Sequence, residues 1–228
     1  SSGTKQWTKQ LGTSSDDSAN GVATDSSGNV YVTGMTNGEL DGCKSAGVED
    51  LFVVQYNSSG TKQWTNQLGS SSRDSANGVA TDSSGNVYVT GTTYWELDGN
   101  TSAGNADLFV VKYNSSGTKQ WTKQLGTEKT DEARGVSTDS SGNVYVTGYT
   151  DGGLDGNNSA GRSDLFVVKY NSSGTKQWTK QLGTEDSDFA NGVATDSSGN
   201  VYVTGSTYRN LDGNTSAGNA DLFVVKYN

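Results

Sequence analysis

The chain repeats itself every 57 residues, and this period constrains the fold more than any other feature of the sequence. Residues 1–57, 58–114, 115–171 and 172–228 align without a gap and together make up the 228 residues. A fixed period of this size is typical of a solenoid, a propeller or another array in which each copy packs on its neighbours. We therefore interpret residues 1–228 as a single repeat domain.

Each copy contains four candidate strands and no candidate helix. In the first copy they are residues 4–11, 21–25, 29–34 and 51–57, where short β-branched and aromatic runs alternate with Gly, Ser, Asn and Asp. Such runs favour strands, and the connections DSSGN and NSSG have the composition of tight hairpins. The predicted fold class is all-β, a β-propeller whose blades are four-stranded antiparallel sheets, one for each 57-residue repeat.

The tract DSSGNVYVTG, followed by DLFVVKYNSSGTKQWTKQLG, resembles the bacterial SBBP family of β-propeller repeats. The resemblance covers the whole chain, because a GNVYVTG strand, a loop, a DxFVVKY strand and a GxxxW strand recur in that order in every copy. It implies a propeller in a secreted or cell-surface protein, and it brings no catalytic residues with it. The family is usually seven-bladed, so four copies leave the size of the ring open.

The phase of the repeat predicts how the blades close. The chain starts with a TKQWTKQL strand and finishes with LFVVKYN, and these two strands are neighbours inside a blade. Pairing of residues 4–11 with residues 222–228 would complete the last blade and hide two sheet edges. Within one chain this pairing gives a closed four-bladed ring, and between chains it gives a larger ring or a polymer.

Composition excludes several classes of function. A net charge of −9 argues against a nucleic-acid partner, because duplex binding relies on Lys and Arg. No run approaches the roughly 18 apolar residues of a membrane span, so we expect no membrane insertion. The absence of His removes the commonest general base, and the single Cys43 cannot form an internal disulfide.

The first residue lies on a repeat boundary and is not Met. We therefore expect a processed or excised form of a longer protein.

Differences among the copies concentrate in two loops, the one before GVATD and the one between NVYVTG and LFVVKYN. Alternate connections of an antiparallel blade emerge at the same edge, so these loops share a face. Aromatic and Arg side chains are common binding anchors for proteins and sugars. We therefore predict a protein or glycan site on this face, and loop packing is the alternative. The candidate residues are Arg73, Tyr94, Trp95, Tyr149, Phe189, Tyr208 and Arg209. Trp7, Trp64, Trp121 and Trp178, like Tyr31 and Phe52 and their equivalents, recur in the strands and are predicted to be core or blade-packing residues instead.

A second pattern, LDGNxSAGxxD, places oxygen-bearing side chains in a glycine-containing loop of copies two to four. Ca²⁺ collects six to eight oxygen ligands, so the pattern suggests a calcium site, although the pattern is no EF-hand and Asx turns alone explain Asp-Gly-Asn. The candidate ligands are Asp98, Asn100, Ser102 and Asp107; Asp155, Asn157, Ser159 and Asp164; and Asp212, Asn214, Ser216 and Asp221. Copy one has Cys43 and Lys44 there, so any site in it should be weaker.

Recurring Asp residues before and after the GVATD strand could in principle act as a glycosidase pair. Four equivalent copies argue against one asymmetric catalytic site, so we expect no enzyme activity. The predicted function is a structural or adhesive module, extracellular or on the cell surface, that binds a protein or glycan. The alternatives are a self-assembling filament or larger ring built from copies of itself, and a propeller-fold lyase or glycosidase.

Overall fold

The computed structural model describes residues 2–228, which form four sheets that we call blades 1 to 4. Blade 1 comprises β1 (Asp17–Thr24), β2 (Val30–Thr36), β3 (Asp50–Tyr56) and β4 (Lys62–Leu68). Blade 2 comprises β5 (Asp74–Thr81), β6 (Val87–Thr93), β7 (Asp107–Tyr113) and β8 (Lys119–Leu125). Blade 3 comprises β9 (Asp131–Thr138), β10 (Val144–Thr150), β11 (Asp164–Tyr170) and β12 (Lys176–Leu182). Blade 4 has three strands, β13 (Asp188–Thr195), β14 (Val201–Thr207) and β15 (Asp221–Tyr227).

Within each blade, consecutive strands pair antiparallel in chain order, as the hairpin composition predicted. The DSSGN hairpin is held by its aspartate, because the Asp82 carboxylate accepts the N–H groups of Ser84 and Asn86, each at 2.9 Å. The same carboxylate accepts the Tyr88 hydroxyl at 3.0 Å, which ties the turn to β6. Short 3₁₀ turns, Leu40–Gly42 and Leu154–Gly156, are the helical content of the described residues.

The blades pack face to face in series, with the first strands β1, β5, β9 and β13 in contact along the inner side. Each of the three inter-blade cores is built from two adjacent blades. Between blades 1 and 2 it joins Tyr31, Leu51 and Val53 to Val89 and Phe109. The side chain of Trp64, on β4, lies between Tyr31 of its own blade and Tyr113 of the next, with ring centroids 6.0 and 6.3 Å away.

The fourth strand therefore belongs to two blades at once. The indole N–H groups of Trp64 and Trp121 donate to the carbonyl oxygens of Ser115 and Ser172 in the following blade, each at 3.4 Å. The blade-packing prediction is thereby confirmed for Trp64, Trp121 and Trp178. Trp7 packs on blade 1 alone and is 36% exposed.

The structure corrects two of the predicted strands. The predicted strand at residues 4–11 has no strand partner, although the identical sequence at residues 118–125 forms β8. It is extended over blade 1 instead, because β15, which carries the partner sequence, lies in the blade at the other end of the series. The first strand of each blade is also longer than predicted, since it begins four residues earlier, at Asp17 in blade 1.

The predicted closed four-bladed ring is not formed within the chain. The four sheets do not close on one another, and β15 ends blade 4 as an edge strand. The physical reason is that contacts between sheets follow the chain order, β1 on β5, β5 on β9 and β9 on β13, so blade 1 and blade 4 occupy opposite ends of an arc.

A bulge in each first strand brings its backbone against a glycine of the second. The register shifts between Ala76 and Gly78, and Gly91 lies opposite Ala76. A Cβ placed on Gly91 would lie 1.9 Å from the carbonyl oxygen of Ser75. Backbone cannot yield as a flexible side chain can, which explains the glycine at the end of each VYVTG strand.

We expect Gly91→Ala to lower the free energy of unfolding by about 2 kcal/mol or more, because overpacking against backbone distorts the strand pair. The matched control is Gly218→Ala, where no atom lies within 4 Å of the added Cβ. This control should change stability by about 1 kcal/mol or less. Urea titrations of both variants measure the difference, and equal unfolding midpoints would contradict the packing assignment.

Candidate binding surfaces

The loops that differ among the copies meet at one end of the blades, and we call this end the loop face. It consists of residues 37–49, 94–106, 151–163 and 208–220 with the inter-blade residues 12–16, 69–73, 126–130 and 183–187. The opposite end holds the DSSGN and NSSG hairpins, which are the same in every copy. The antiparallel strand order therefore separates a variable end of the molecule from a constant one.

Three of the predicted site residues come together on blade 2. Tyr94 and Trp95 follow β6, and the Tyr94 N–H donates to the carbonyl oxygen of Arg73 at 3.0 Å. Both aromatic side chains are open to solvent, with exposed fractions of 48% for Tyr94 and 55% for Trp95. The Arg73 guanidinium lies 4.0 Å from the Glu49 carboxylate at the junction with blade 1. These residues form an exposed aromatic platform with charged groups at its edge.

Tyr208 and Arg209 occupy the equivalent place on blade 4. Arg209 lies 3.7 Å from the carboxylate of Asp186, which also approaches Arg162 at 3.8 Å. Tyr208 and Arg209 line an open depression of about 480 Å³ together with Glu185 and Asn210. A depression with an aromatic ring, a carboxylate, an amide and a guanidinium has the mixed chemistry that polar ligands such as sugars require.

Tyr149 and Phe189 do not lie in loops as predicted but on β10 and β13. Their rings meet edge to face with centroids 5.0 Å apart, across the junction between blades 3 and 4. The guanidinium of Arg134 covers both rings, 4.8 Å from Tyr149 and 5.3 Å from Phe189, and donates to Glu132 at 2.9 Å. Burial and the adjacent Glu132 carboxylate raise the pKa of Tyr149 to about 12. These contacts make the cluster a joint between blades.

Sequence reasoning missed Glu132 and Arg134, although a signal for them was present. The strand that reads DSANGVAT in blades 1 and 2 reads DEARGVST in blade 3. Arg134 stands where the other copies have Asn, and the Asn77 amide donates to the carbonyl oxygen of Ala133 in the next blade at 2.8 Å. Several residues change together in this one copy of the strand. Such a joint change is the signal that they contact one another or a common neighbour.

We expect Arg134→Asn, which restores the residue of the other copies, to lower the free energy of unfolding by about 1 kcal/mol. It removes a half-buried cation–π contact to two rings. The control Arg162→Asn removes an exposed ion pair and should have an effect within about 0.5 kcal/mol. Chemical unfolding monitored by tryptophan fluorescence compares the two. Identical midpoints would contradict the role of Arg134 as a joint.

The predicted calcium ligands are engaged by protein donors. The Asp98 carboxylate accepts the Lys119 ammonium and the Thr122 hydroxyl, the latter at 2.6 Å. The Asp107 carboxylate accepts the Gln124 amide at 2.7 Å and a backbone N–H at 2.8 Å. These contacts attach the loop to the fourth strand of the blade.

The other predicted ligands also serve the loop itself. Asn100 donates its amide to the carbonyl oxygen of Leu97 at 2.9 Å, and Ser102 donates its hydroxyl to that of Gly104 at 3.1 Å. Blade 3 repeats this pattern with Asp155, Asn157, Ser159 and Asp164. In blade 4, Asn214, Ser216 and Asp221 make the same loop contacts. Within residues 2–228 no three His, Cys, Asp or Glu side chains converge on a possible metal position. Calcium binding stays a prediction, and in blades 2 and 3 it would have to displace a lysine.

The recurring aspartates considered for catalysis lie at opposite ends of a strand. Asp131 begins β9 and Asp139 follows its last residue, so eight residues of extended chain, roughly 25 Å, separate them. Burial raises the pKa of Asp131. Against the effect of its own burial, hydrogen bonds from Asn143 and Tyr145 lower the pKa of Asp139. Two such carboxylates cannot flank one glycosidic bond, which requires a separation below about 10 Å.

The fold and its repeated packing define the class: an array of four-stranded antiparallel blades of the β-propeller type. The family model for the SBBP beta-propeller repeat matches residues 6–41, 63–94, 120–155 and 177–212. The chain belongs to this family of β-propeller repeats, as its resemblance to the family indicated.

Two curated relatives are similar to this chain at low identity. An uncharacterized WD repeat-containing protein, L264, of Acanthamoeba polyphaga mimivirus is 26% identical over 228 residues, which cover 78% of this chain and 16% of the relative. The regulatory protein FlaEY of Caulobacter vibrioides is 27% identical over 182 residues, 73% of this chain and 19% of the relative. The chain thus spans less than a fifth of either relative. No stretch of residues 2–228 forms a helix long and apolar enough to cross a membrane.

Proposed function

We propose that this chain is a non-enzymatic binding module, extracellular or on the cell surface, that engages a glycan or protein through its loop face. One observation carries the proposal: exposed aromatic and Arg side chains occur on this face at positions that differ between copies. Tyr94 and Trp95 occupy in blade 2 the place that Tyr208 and Arg209 occupy in blade 4. Aromatic rings free of the core supply contact area at small entropic cost.

The environment of the acidic residues supports a binding role over catalysis. The recurring aspartates satisfy backbone groups in turns, as Asp82 does in its hairpin, and those at the two ends of a strand lie too far apart to act together. The regulatory role named for the Caulobacter relative belongs to a protein several times longer than the matched segment. A regulatory complex would nevertheless use the same kind of exposed face to hold a partner.

Immobilised glycan arrays, probed with wild-type protein and with Trp95→Ala, test the proposal. We expect Trp95→Ala to reduce binding at least about tenfold, as loss of an aromatic anchor does. Its free energy of unfolding should stay within about 0.5 kcal/mol of wild type, because the indole packs on no core. Trp64→Ala, which empties the space between two blades, should instead lower stability by about 3 kcal/mol.

Two results would contradict the assignment of Trp95. One is a loss of stability in Trp95→Ala comparable to that in Trp64→Ala, which would make Trp95 a core residue. The other is unchanged binding of the same glycans, which would move the site away from blade 2. Tyr208→Ala, on the equivalent position of blade 4, then tests whether the second platform alone accounts for binding.

A further inference from the structure

The outer edge of β15 is bare, and the surface beside it has the composition of a core. Leu222 and Val224 are 83% and 66% exposed, whereas their equivalents in blades 2 and 3 are fully buried. A groove of about 400 Å³ runs along this edge, lined by Leu211, Asp212 and residues 221–226. The groove lies where the fourth strand lies in the other blades.

The chain itself shows which strand fits this edge. β15 has the sequence DLFVVKY, identical to β7 and β11. Both of those strands pair with a KQWTKQL strand, β8 and β12 respectively. Residues 5–11 have the same sequence, KQWTKQL, and no strand partner in the described structure. Identical strands in an identical blade should pair in the same register, which places Leu11 opposite Leu222 and Thr8 opposite Val225.

The side-chain chemistry of the groove matches this strand. In blade 2 the fourth strand supplies Lys119 and Thr122 to the Asp98 carboxylate, and Gln124 to Asp107 and the Leu97 N–H. The equivalent acceptors and donor in blade 4 belong to Asp212, Asp221 and Leu211, and all three residues line the groove. Lys5, Thr8 and Gln10 are the residues that would complete these contacts.

The two ends of the arc are halves of one inter-blade core. On blade 1, Leu40, Phe52 and Val54 are buried against Leu11, Val32 and Tyr56, so the N-terminal segment already covers part of this half, while Val22 of the same blade is 69% exposed. The corresponding residues of blade 2 form a complete core with the tyrosine, leucine and valine of the preceding blade, Tyr31, Leu51 and Val53. The blade 4 equivalents of Tyr31, Leu51 and Val53 are Tyr202, Leu222 and Val224. These three residues have no following blade to pack on. Apolar surfaces of this kind on a soluble domain mark interaction sites.

Residues 4–11 already lie on blade 1 in the position of a fourth strand from a preceding blade. The Trp7 ring is 6.3 Å from Tyr56 at an interplanar angle of 32°, and Trp64 has the same distance and angle to Tyr113. The Trp7 indole N–H donates to the carbonyl oxygen of Ser58 at 3.2 Å, as that of Trp64 does to Ser115. Trp7 therefore has one of its two tyrosine neighbours in place, and the other neighbour would be Tyr202.

We propose that β15 accepts residues 4–11 of a second copy of this chain, so that copies associate head to tail and the second copy continues the series of blades. The segment and blade 1 dock together, because they are already packed on each other at the far end of the arc from β15. One contact restores a four-stranded blade 4, closes the inter-blade core and hides a sheet edge. This interface is heterologous, so the assembly is a ring or an open polymer according to whether the rotation closes. The proposal is independent of any ligand on the loop face.

Sedimentation velocity of the 228-residue chain over a wide concentration range tests the proposal. We expect species of two or more 23.8 kDa chains that dissociate on dilution. Leu222→Lys should raise the concentration for half-association at least about 100-fold, because it buries an unpaired charge in the interface. In the monomer this side chain faces solvent, so the variant should keep the wild-type far-UV spectrum and melting temperature at low concentration.

The matched control is Val48→Lys, at another exposed apolar residue with 60% exposure that lies on neither half-core. It should associate as wild type does. Trp7→Ala, at the opposite side of the same interface, should weaken association as Leu222→Lys does. A mixture of Trp7→Ala and Leu222→Lys retains one intact side in each variant, so it should form mixed dimers that neither variant forms alone.

Three results would overturn the proposal. A chain that stays monomeric at all concentrations, with a melting temperature lowered by Leu222→Lys, would show that residues 4–11 close on β15 of the same chain. A monomer indifferent to the substitution would show that the edge stays open. Association that neither Leu222→Lys nor Trp7→Ala weakens would place the contact elsewhere. None of these results bears on glycan binding by Trp95, so the two proposals fail separately.

Discussion

The packing of each fourth-strand tryptophan between two tyrosines holds the array together. Trp64 contacts Tyr31 in its own blade and Tyr113 in the next, and Trp178 contacts Tyr145 and Tyr227 in the same way. Because the ring is shared, no blade can bury its faces alone, and stability is a sum of interfaces between neighbours. It follows that an arc of four blades has an unsatisfied surface at each end, however well its interior is packed.

Polar contacts inside each blade complement the aromatic packing between blades, and they explain why certain residues are the same in every copy. Gln67 accepts the Leu40 N–H at 2.9 Å and donates to the Asp50 carboxylate at 2.7 Å, which fixes the long loop to the fourth strand. The glycine that follows this strand is required, since a Cβ on Gly69 would lie 1.9 Å from an Asp50 oxygen. With the loop anchored at these points, its remaining residues are free to vary. The loop face is thus variable because its supports are rigid.

The sequence predicted the elements that depend on local chemistry, namely the period, the hairpins, the antiparallel order and the inter-blade tryptophans. It could not predict elements that depend on a distant partner. Residues 5–11 and 119–125 have one sequence, but only the latter is a strand, because strand formation follows the available edge more than intrinsic preference. Contacts at the candidate site could not be predicted for the same reason. Arg134 contacts Phe189 of the next blade, and Lys119 on the fourth strand pairs with Asp98 in the long loop. Neither contact is visible without the packing of blades and loops.

The copies also alternate, and this alternation connects the two proposed activities. Blades 1 and 3 have Gly38 and Gly152 in the long loop, each followed by a 3₁₀ turn, whereas the same position holds Trp95 in blade 2 and Arg209 in blade 4. Exposed platforms thus recur on every second blade. In a head-to-tail assembly blade 4 meets blade 1 of the next copy, so the spacing of one platform per two blades continues unchanged across the junction. Weak sites held at a regular spacing bind a repetitive ligand, such as a polysaccharide, far more tightly than one site does, provided that the spacing matches. Association through β15 would therefore convert modest individual sites into an avid surface without any new contact to the ligand.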